Sequence, residues 1–204
     1  MRAYQLPKGG AGIDALVKVE RPDPKPAYRQ VVVKVKACSL NFRDLGIVRG
    51  TYRMPVRENL IPLSDGAGEV IEVGPGVARV KIGDRVAGCF FQRWAGGEAP
   101  SDVHASALGG GIDGMLAEYV VLEEDGIVKI PAHLSLEEGA TLPCARVDGL
   151  GPNRTKTTKL RPARSISAIS ALCAVPTGCR CARTSFRCQM ARGKSLRSVP
   201  VSPA

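Results

Sequence analysis

Residues 62–88 read PLSDGAGEVIEVGPGVARVKIGDRVAG, and the fold follows from how they are parsed. Asp65 to Val73 has the composition of a strand, with Gly66 and Gly68 leaving room for another backbone to approach closely. Gly74, Pro75 and Gly76 end it, because proline fixes φ and glycine supplies the positive φ that a reversal needs. From Val77 the chain is expected to climb back to a second turn at Gly83-Asp84 and on through Arg85-Val86-Ala87. Two strands joined by a glycine-proline turn make this the centre of an antiparallel sheet.

Working outward, Met1 to Leu6 reads as an edge strand and Ala15 to Glu20 as another. The RPDPKP run, Arg21 to Pro26, is neither helix nor central strand, since its prolines remove donors and hold their predecessors extended. Gln30 to Leu40 alternates apolar and polar from Val33 onward, the pattern of a half-buried strand. NFRDLGIVRG then turns helical for one or two turns, and Gly50 and Pro55 end it. Cys89 to Gly114 is irregular and glycine-rich. Met115 to Leu122 and Gly126 to Ile130 are strands again, with EED between them as a turn. Ser135 and Glu138 form a capping box that opens a helix running to about Leu142. Short strands around one core with small helices at the edges predict a mainly β chain, a partly open barrel.

Composition divides the 204 residues in two. The net charge is +10, yet 12 of the 29 basic residues and only one acid, Asp148, lie in 146–204. Residues 1–145 are therefore nearly neutral, and long enough to bury roughly two thirds of their unfolded surface. No apolar run approaches the roughly 18 residues of a membrane span, and MRAYQLPKGG lacks a secretory apolar region. A cytoplasmic location is expected. Cys38, Cys89 and Cys144 are then read as reduced, buried thiols.

The ordered motifs VKVKACSLNFRD, IPLSDGAGEVIEVGPGV, GDRVAG, GMLAEYVVLEED and LSLEEGATLPCA resemble the GroES-like catalytic domain of the medium-chain dehydrogenase/reductase superfamily. The resemblance covers residues 1–145 and implies a GroES-like, partly open β-barrel with short helices. In its zinc-dependent members a Cys-His-Asp run follows the first of these strands, and a Gly-His-Glu run opens the glycine-rich strand. Here those positions read Asn41-Phe42 and Leu63-Ser64-Asp65. Asn41 replaces the first zinc cysteine and Ser64 the histidine, while Cys144 matches the remaining ligand. One thiolate does not hold zinc, because a catalytic site needs three protein ligands. The four-cysteine structural lobe is absent too. The likeness is thus to the zinc-free branch, similar to quinone reductases, with NAD(P)H as the implied cofactor. The implied substrate is a small-molecule carbonyl, alcohol or quinone.

Without a metal, charge developing on the substrate oxygen must be met by hydrogen-bond donors or a proton donor. Asn41 is the first candidate, for substrate or for the nicotinamide ribose; it also suits the cap of the following helix. Tyr52 resembles a pocket tyrosine of quinone reductases, and otherwise packs on the barrel. Asp44 is a catalytic candidate that pairs locally with Arg43. Ser64 and Asp65 occupy the vacated metal pocket, or form a turn. Cys144 is a cofactor-side candidate, and His104 reads as a solvated loop histidine.

In the family the capped helix leads into a nucleotide-binding domain, and no glycine-rich strand–turn–helix follows residue 145. The literal G-x-G-x-x-G at Gly109, Gly111 and Gly114 precedes a strand, so it offers no helix N-terminus to a pyrophosphate. Residues 146–204 change character abruptly and are expected to be a disordered, out-of-frame translation product. Two alternatives stand beside it. A cationic arm would bind nucleic acid by phosphate neutralisation, though Phe186 is its only aromatic. Cys173, Cys179, Cys181 and Cys188 would bind a metal, though without the paired C-x2-C spacing of zinc modules. A chain lacking its cofactor domain is expected to be inactive or weakly active, and to self-associate through the apolar face left exposed.

Overall fold

The computed structural model describes residues 1–144 apart from Gly10 and Ala95. Every expectation about residues 146–204 lies outside the described residues. The elements in order are β1 (Arg2–Gln5), β2 (Val17–Glu20), β3 (Gln30–Ser39), α1 (Phe42–Val48), β4 (Asp65–Val73), β5 (Arg85–Gly88), β6 (Tyr119–Glu123), β7 (Ile127–Lys129) and α2 (Leu136–Ala140). β1 pairs with β2, and the other five form one curled sheet in the order β6-β3-β4-β5-β7. Each of these strand pairings is antiparallel. The fold is mainly β with few short helices.

β3 and β4 form the spine, for a reason already present in their residues. Val31, Val33, Val35 and Val70 turn inward with Val86, Leu108, Met115, Leu122 and Ile127 into one core. Each fully buried side chain of this size contributes roughly 2 kcal/mol by leaving water. Three consecutive valines, Val31 to Val33, are buried where period 2 would expose one, and the pairing with β4 shifts register between Val32 and Val33. A bulge of this kind bends the strand and lets the sheet curl. On the other face Ala37, Ala67 and Ala87 stand in register across β3, β4 and β5. Their small side chains let α2 lie against the sheet, where Ala140 and Leu136 pack on them.

Two expectations need correction. Residues 77–84 are not a strand returning from the glycine-proline turn; the connection from β4 to β5 is irregular, and β5 begins only at Arg85. The cause is distant in sequence: the Ala78 and Arg79 amides donate to the Glu124 carboxylate instead of to a neighbouring strand. Glu124 is therefore no exposed turn residue; it is 2% exposed at the start of a 3-10 turn. Likewise Met115–Glu118 is not the first half of β6. Its backbone is taken up at the barrel's entry, where Tyr4 N–H donates to Leu116 O and Glu118 N–H to Arg2 O. The outer edge of β6 is plugged by the buried Gln92, whose Oε1 accepts from Glu123 N at 3.0 Å. Among the described residues no helix is long and apolar enough to cross a membrane.

Candidate functional site

The site lies where β3 ends and β4 begins. Antiparallel register sets Ser39 opposite Asp65 and Cys38 opposite Gly66, so the residue leaving β3 and the residue entering β4 are neighbours. Asn41 leaves β3 as the N-cap of α1, in extended geometry at φ −112° and ψ 156°. Asp44 occupies the third helical position, where its Oδ2 accepts from Asn41 N at 2.8 Å. Both halves of a capping box are present, the Asn41 side chain facing the Asp44 N–H while the Asp44 carboxylate satisfies the Asn41 N–H. The capping role thus holds for Asn41, and it leaves the side-chain amide free to donate to Ser64 Oγ at 3.4 Å.

Leu63 sets the approach to β4. Its φ of 73° lies in the left-handed region, which a side-chain-bearing residue visits at a cost. Ser64 and Asp65 follow, each completely buried. Ser64 Oγ donates to Asp65 Oδ1 at 3.3 Å, and Asp65 Oδ2 accepts the backbone N–H of Cys144 at 3.2 Å. The Cys144 Sγ lies 3.9 Å from Ser64 Oγ. Asn41, Asp44, Ser64, Asp65 and Cys144 therefore form one connected cluster, assembled from three segments.

Tyr52 stands apart. Its hydroxyl accepts from Arg43 Nε at 3.2 Å and makes no hydrogen bond to the cluster. Arg43 corrects a further expectation, since it does not pair with Asp44. Its guanidinium lies 5.0 Å from the centre of the Tyr52 ring and 4.5 Å from that of Phe90, and donates to Leu108 O at 2.9 Å. No spacing rule could have found this role, because Phe90 and Leu108 arrive from a loop far along the chain. His104 is exposed, its ring set edge-on to Phe91 at 5.5 Å, away from the cluster. The G-x-G-x-x-G glycines serve packing: Gly109 and Gly114 press on the Leu63 backbone, and no helix follows them.

Burial governs the electrostatics. It pushes the Asp44 carboxyl up to about 6, with Asp65 adding to the rise while the Asn41 N–H and Arg43 oppose it. Burial raises Asp65 as well, against the hydrogen bonds from Cys144, Asn41 and Ser64. Cys38 is pushed to about 12 by burial and by the two carboxylates, and Cys144 is raised by burial and by Asp65. Both sulfurs are thiols at neutral pH, so neither is primed as a nucleophile.

The donor set does not fit zinc. Of the cluster's ligand types, Cys144, Asp65 and Asp44, both Asp65 oxygens are already hydrogen-bonded and one Asp44 oxygen accepts from the Asn41 N–H, whereas three protein ligands must converge on one point. Among the described residues no group of three or more His, Cys, Asp or Glu is placed to hold a metal ion. Among the described residues no glycine-rich turn opens a helix on which a dinucleotide's phosphates could rest.

The alcohol dehydrogenase GroES-like domain family matches residues 27–132. A zinc-type alcohol dehydrogenase-like protein of Schizosaccharomyces pombe is 42% identical over 138 residues, covering 67% of this chain and 40% of that protein. A chloroplast envelope quinone oxidoreductase homologue of Arabidopsis thaliana is 37% identical over 152 residues, covering 74% and 41%. A crystal structure assigned as an alcohol dehydrogenase from Sinorhizobium meliloti superposes with a TM-score of 0.63 at 33% identity, covering 71% of this chain and 42% of that one. The chain thus spans about two fifths of the length of the curated relatives it matches.

Proposed function

Because the chain belongs to the alcohol dehydrogenase GroES-like domain family, we propose that it is the substrate-side domain of a zinc-independent NAD(P)-dependent oxidoreductase. The relatives' names support oxidoreductase chemistry on alcohols or quinones. The observation that carries the metal-free reading is the cluster itself, in which hydrogen bonds among Asn41, Ser64, Asp65 and Cys144 fill the place a metal would need.

A nicotinamide cofactor supplies or accepts the hydride in such enzymes. This chain's residues do the rest. The Asn41 amide is the donor that fixes a carbonyl oxygen, replacing a Lewis acid by a preorganised dipole in a water-poor site, while the buried Ser64 hydroxyl, donating to Asp65, accepts from that amide and holds it. Asp65 orients Ser64, and Tyr52, held by Arg43 outside the cluster, is a further hydroxyl. Phe42, 76% exposed next to Asn41, is an apolar side chain through which the chain would self-associate. A cytoplasmic location goes with this reading, although one relative is named for the chloroplast envelope.

Two measurements check it. Amide NMR of the 204-residue chain with cyclohexanone is expected to shift Asn41, Ser64 and Tyr52. No shift at about 10 mM, ten times the upper end of ordinary KM values, would overturn the substrate assignment. Titration of the same chain with NADPH, followed by nicotinamide fluorescence, is expected to show no saturation, because the described residues hold no helix-opening glycine turn for its phosphates. Tight, stoichiometric binding would sink that expectation. In equilibrium dialysis the chain should retain far less than one zinc per molecule.

A further inference from the structure

One buried side-chain oxygen among the described residues finds no hydrogen-bond partner, Asp44 Oδ1. The side chain is 3% exposed, and its other oxygen is taken by the Asn41 N–H. An ionised carboxylate oxygen left without a donor in such a place is costly. Two remedies exist. Oδ1 can carry a proton, or a donor can turn toward it.

The groups around Asp44 decide which donor is free. On α1 itself, Arg43 is committed to Tyr52 Oη and Leu108 O. From the start of β4 come Asp65, of like charge, and the Ser64 backbone N–H, a donor fixed in place that already favours the ionised carboxyl. From β3 comes Cys38, whose thiol donates to Met115 O at 3.2 Å, and beyond α2 lies Cys144. Of these groups, the side-chain donor able to turn is the Asn41 amide, shared between Ser64 Oγ and Asp65. It reaches Ser64 Oγ only at 3.4 Å, and its own backbone already touches the Asp44 carboxyl.

We propose that Asp44 is a positioning residue acting through Asn41: with a proton on Oδ1 it leaves the Asn41 amide turned to Ser64, and without that proton it draws the amide onto itself. The step is loss of one proton to water, with no bond made or broken elsewhere. Asn41 then presents its donor to the cleft in the protonated state only.

Burial, which holds the Asp44 carboxyl at about 6, sets the range. Its folded value lies above the roughly 3.9 of an unfolded aspartate. The stability linked to it is therefore complete below about pH 4 and is lost as pH rises through about 6. Rearrangement of Asn41 offsets part of that loss.

The test uses the full chain without cofactor or substrate, so its outcome is separable from the oxidoreductase reading. Carboxyl 13C and side-chain amide 15N NMR are recorded from acid to alkaline pH. The Asp44 carboxyl is expected to titrate with a midpoint of about 6, and the Asn41 side-chain amide to move with the same midpoint. In Asp44→Asn that amide should stay at its low-pH position throughout. An Asp44 that titrates like an exposed carboxyl, or an Asn41 amide that ignores the titration, overturns the proposal. Should Asp44→Asn fail to fold, the wild-type titration decides alone, with Asn41→Ser assigning the amide signal.

Discussion

Gly114→Ala is expected to destabilise the chain by about 3 kcal/mol or more, the upper range for overpacking a site that cannot relax. A Cβ at this position would overlap Leu63 O and come within 2.6 Å of Pro62 O, both backbone atoms that no rotamer change can move. Gly114 N–H donates to Ile61 O at 2.7 Å and Met115 N–H to Leu63 O at 2.9 Å, so the two segments cannot simply part. The displaced segment runs straight into Ser64 and Asp65. The variant should therefore shift the Ser64 and Asp65 amide resonances as well as lower the urea midpoint. Gly46→Ala is the matched control: on α1, its added Cβ meets nothing nearer than 3.8 Å. It should be neutral, or stabilising by up to about 1 kcal/mol through helix propensity. An unchanged midpoint for Gly114→Ala would show that the loop yields, and that its packing does not fix the site.

The second large effect is expected at Glu124. Its carboxylate accepts from Ala78 N at 2.9 Å, Arg79 N at 3.1 Å and Arg29 Nε at 2.7 Å. Glu124→Ala leaves these donors without an acceptor and frees the connection between β4 and β5. Those backbone amides, with Arg29, hold the carboxyl at about 2, below its ordinary 4.5. The folded value is depressed, so the associated stability is present above about pH 4.5 and disappears as pH falls toward about 2. Urea midpoints measured between those limits should decline in the wild type and flatten in Glu124→Ala, which should also be less stable at neutral pH. Glu118 is likewise held at about 2, by Arg2. Its side chain is 35% exposed, however, so Glu118→Gln should change stability far less. Equal effects from the two would contradict the assignment of Glu124 as a buried anchor. Asp44 acts in the opposite sense, and the two groups together predict a stability maximum near pH 4 to 5 from these titrations.

Much of the fold was legible because its determinants are local. β3 runs from Gln30 to Ser39 and β4 from Asp65 to Val73, close to where alternation and glycine punctuation put them. The Ser135–Glu138 capping box forms as its spacing requires, with Ser135 Oγ accepting from Glu138 N at 3.1 Å. The candidate site was legible in part. Asn41, Ser64, Asp65 and Cys144 were singled out by resemblance, and the structure brings them together. Tyr52 it leaves outside the cluster, and Arg43 turns from Asp44 to two aromatic rings.

What the sequence by itself determined were the features decided within a few residues: strand alternation, breakers at Gly74-Pro75-Gly76, and the capped helices. What only the tertiary structure decided were the features summed over distant segments. Glu124 looked like one more acid in a turn until the Ala78 and Arg79 amides closed on it. Asp44 read as a catalytic candidate paired with Arg43; packing instead buried it, raised its carboxyl and left Oδ1 without a hydrogen-bond partner. Desolvation depends on every segment that packs around a group, and no window of sequence contains them all.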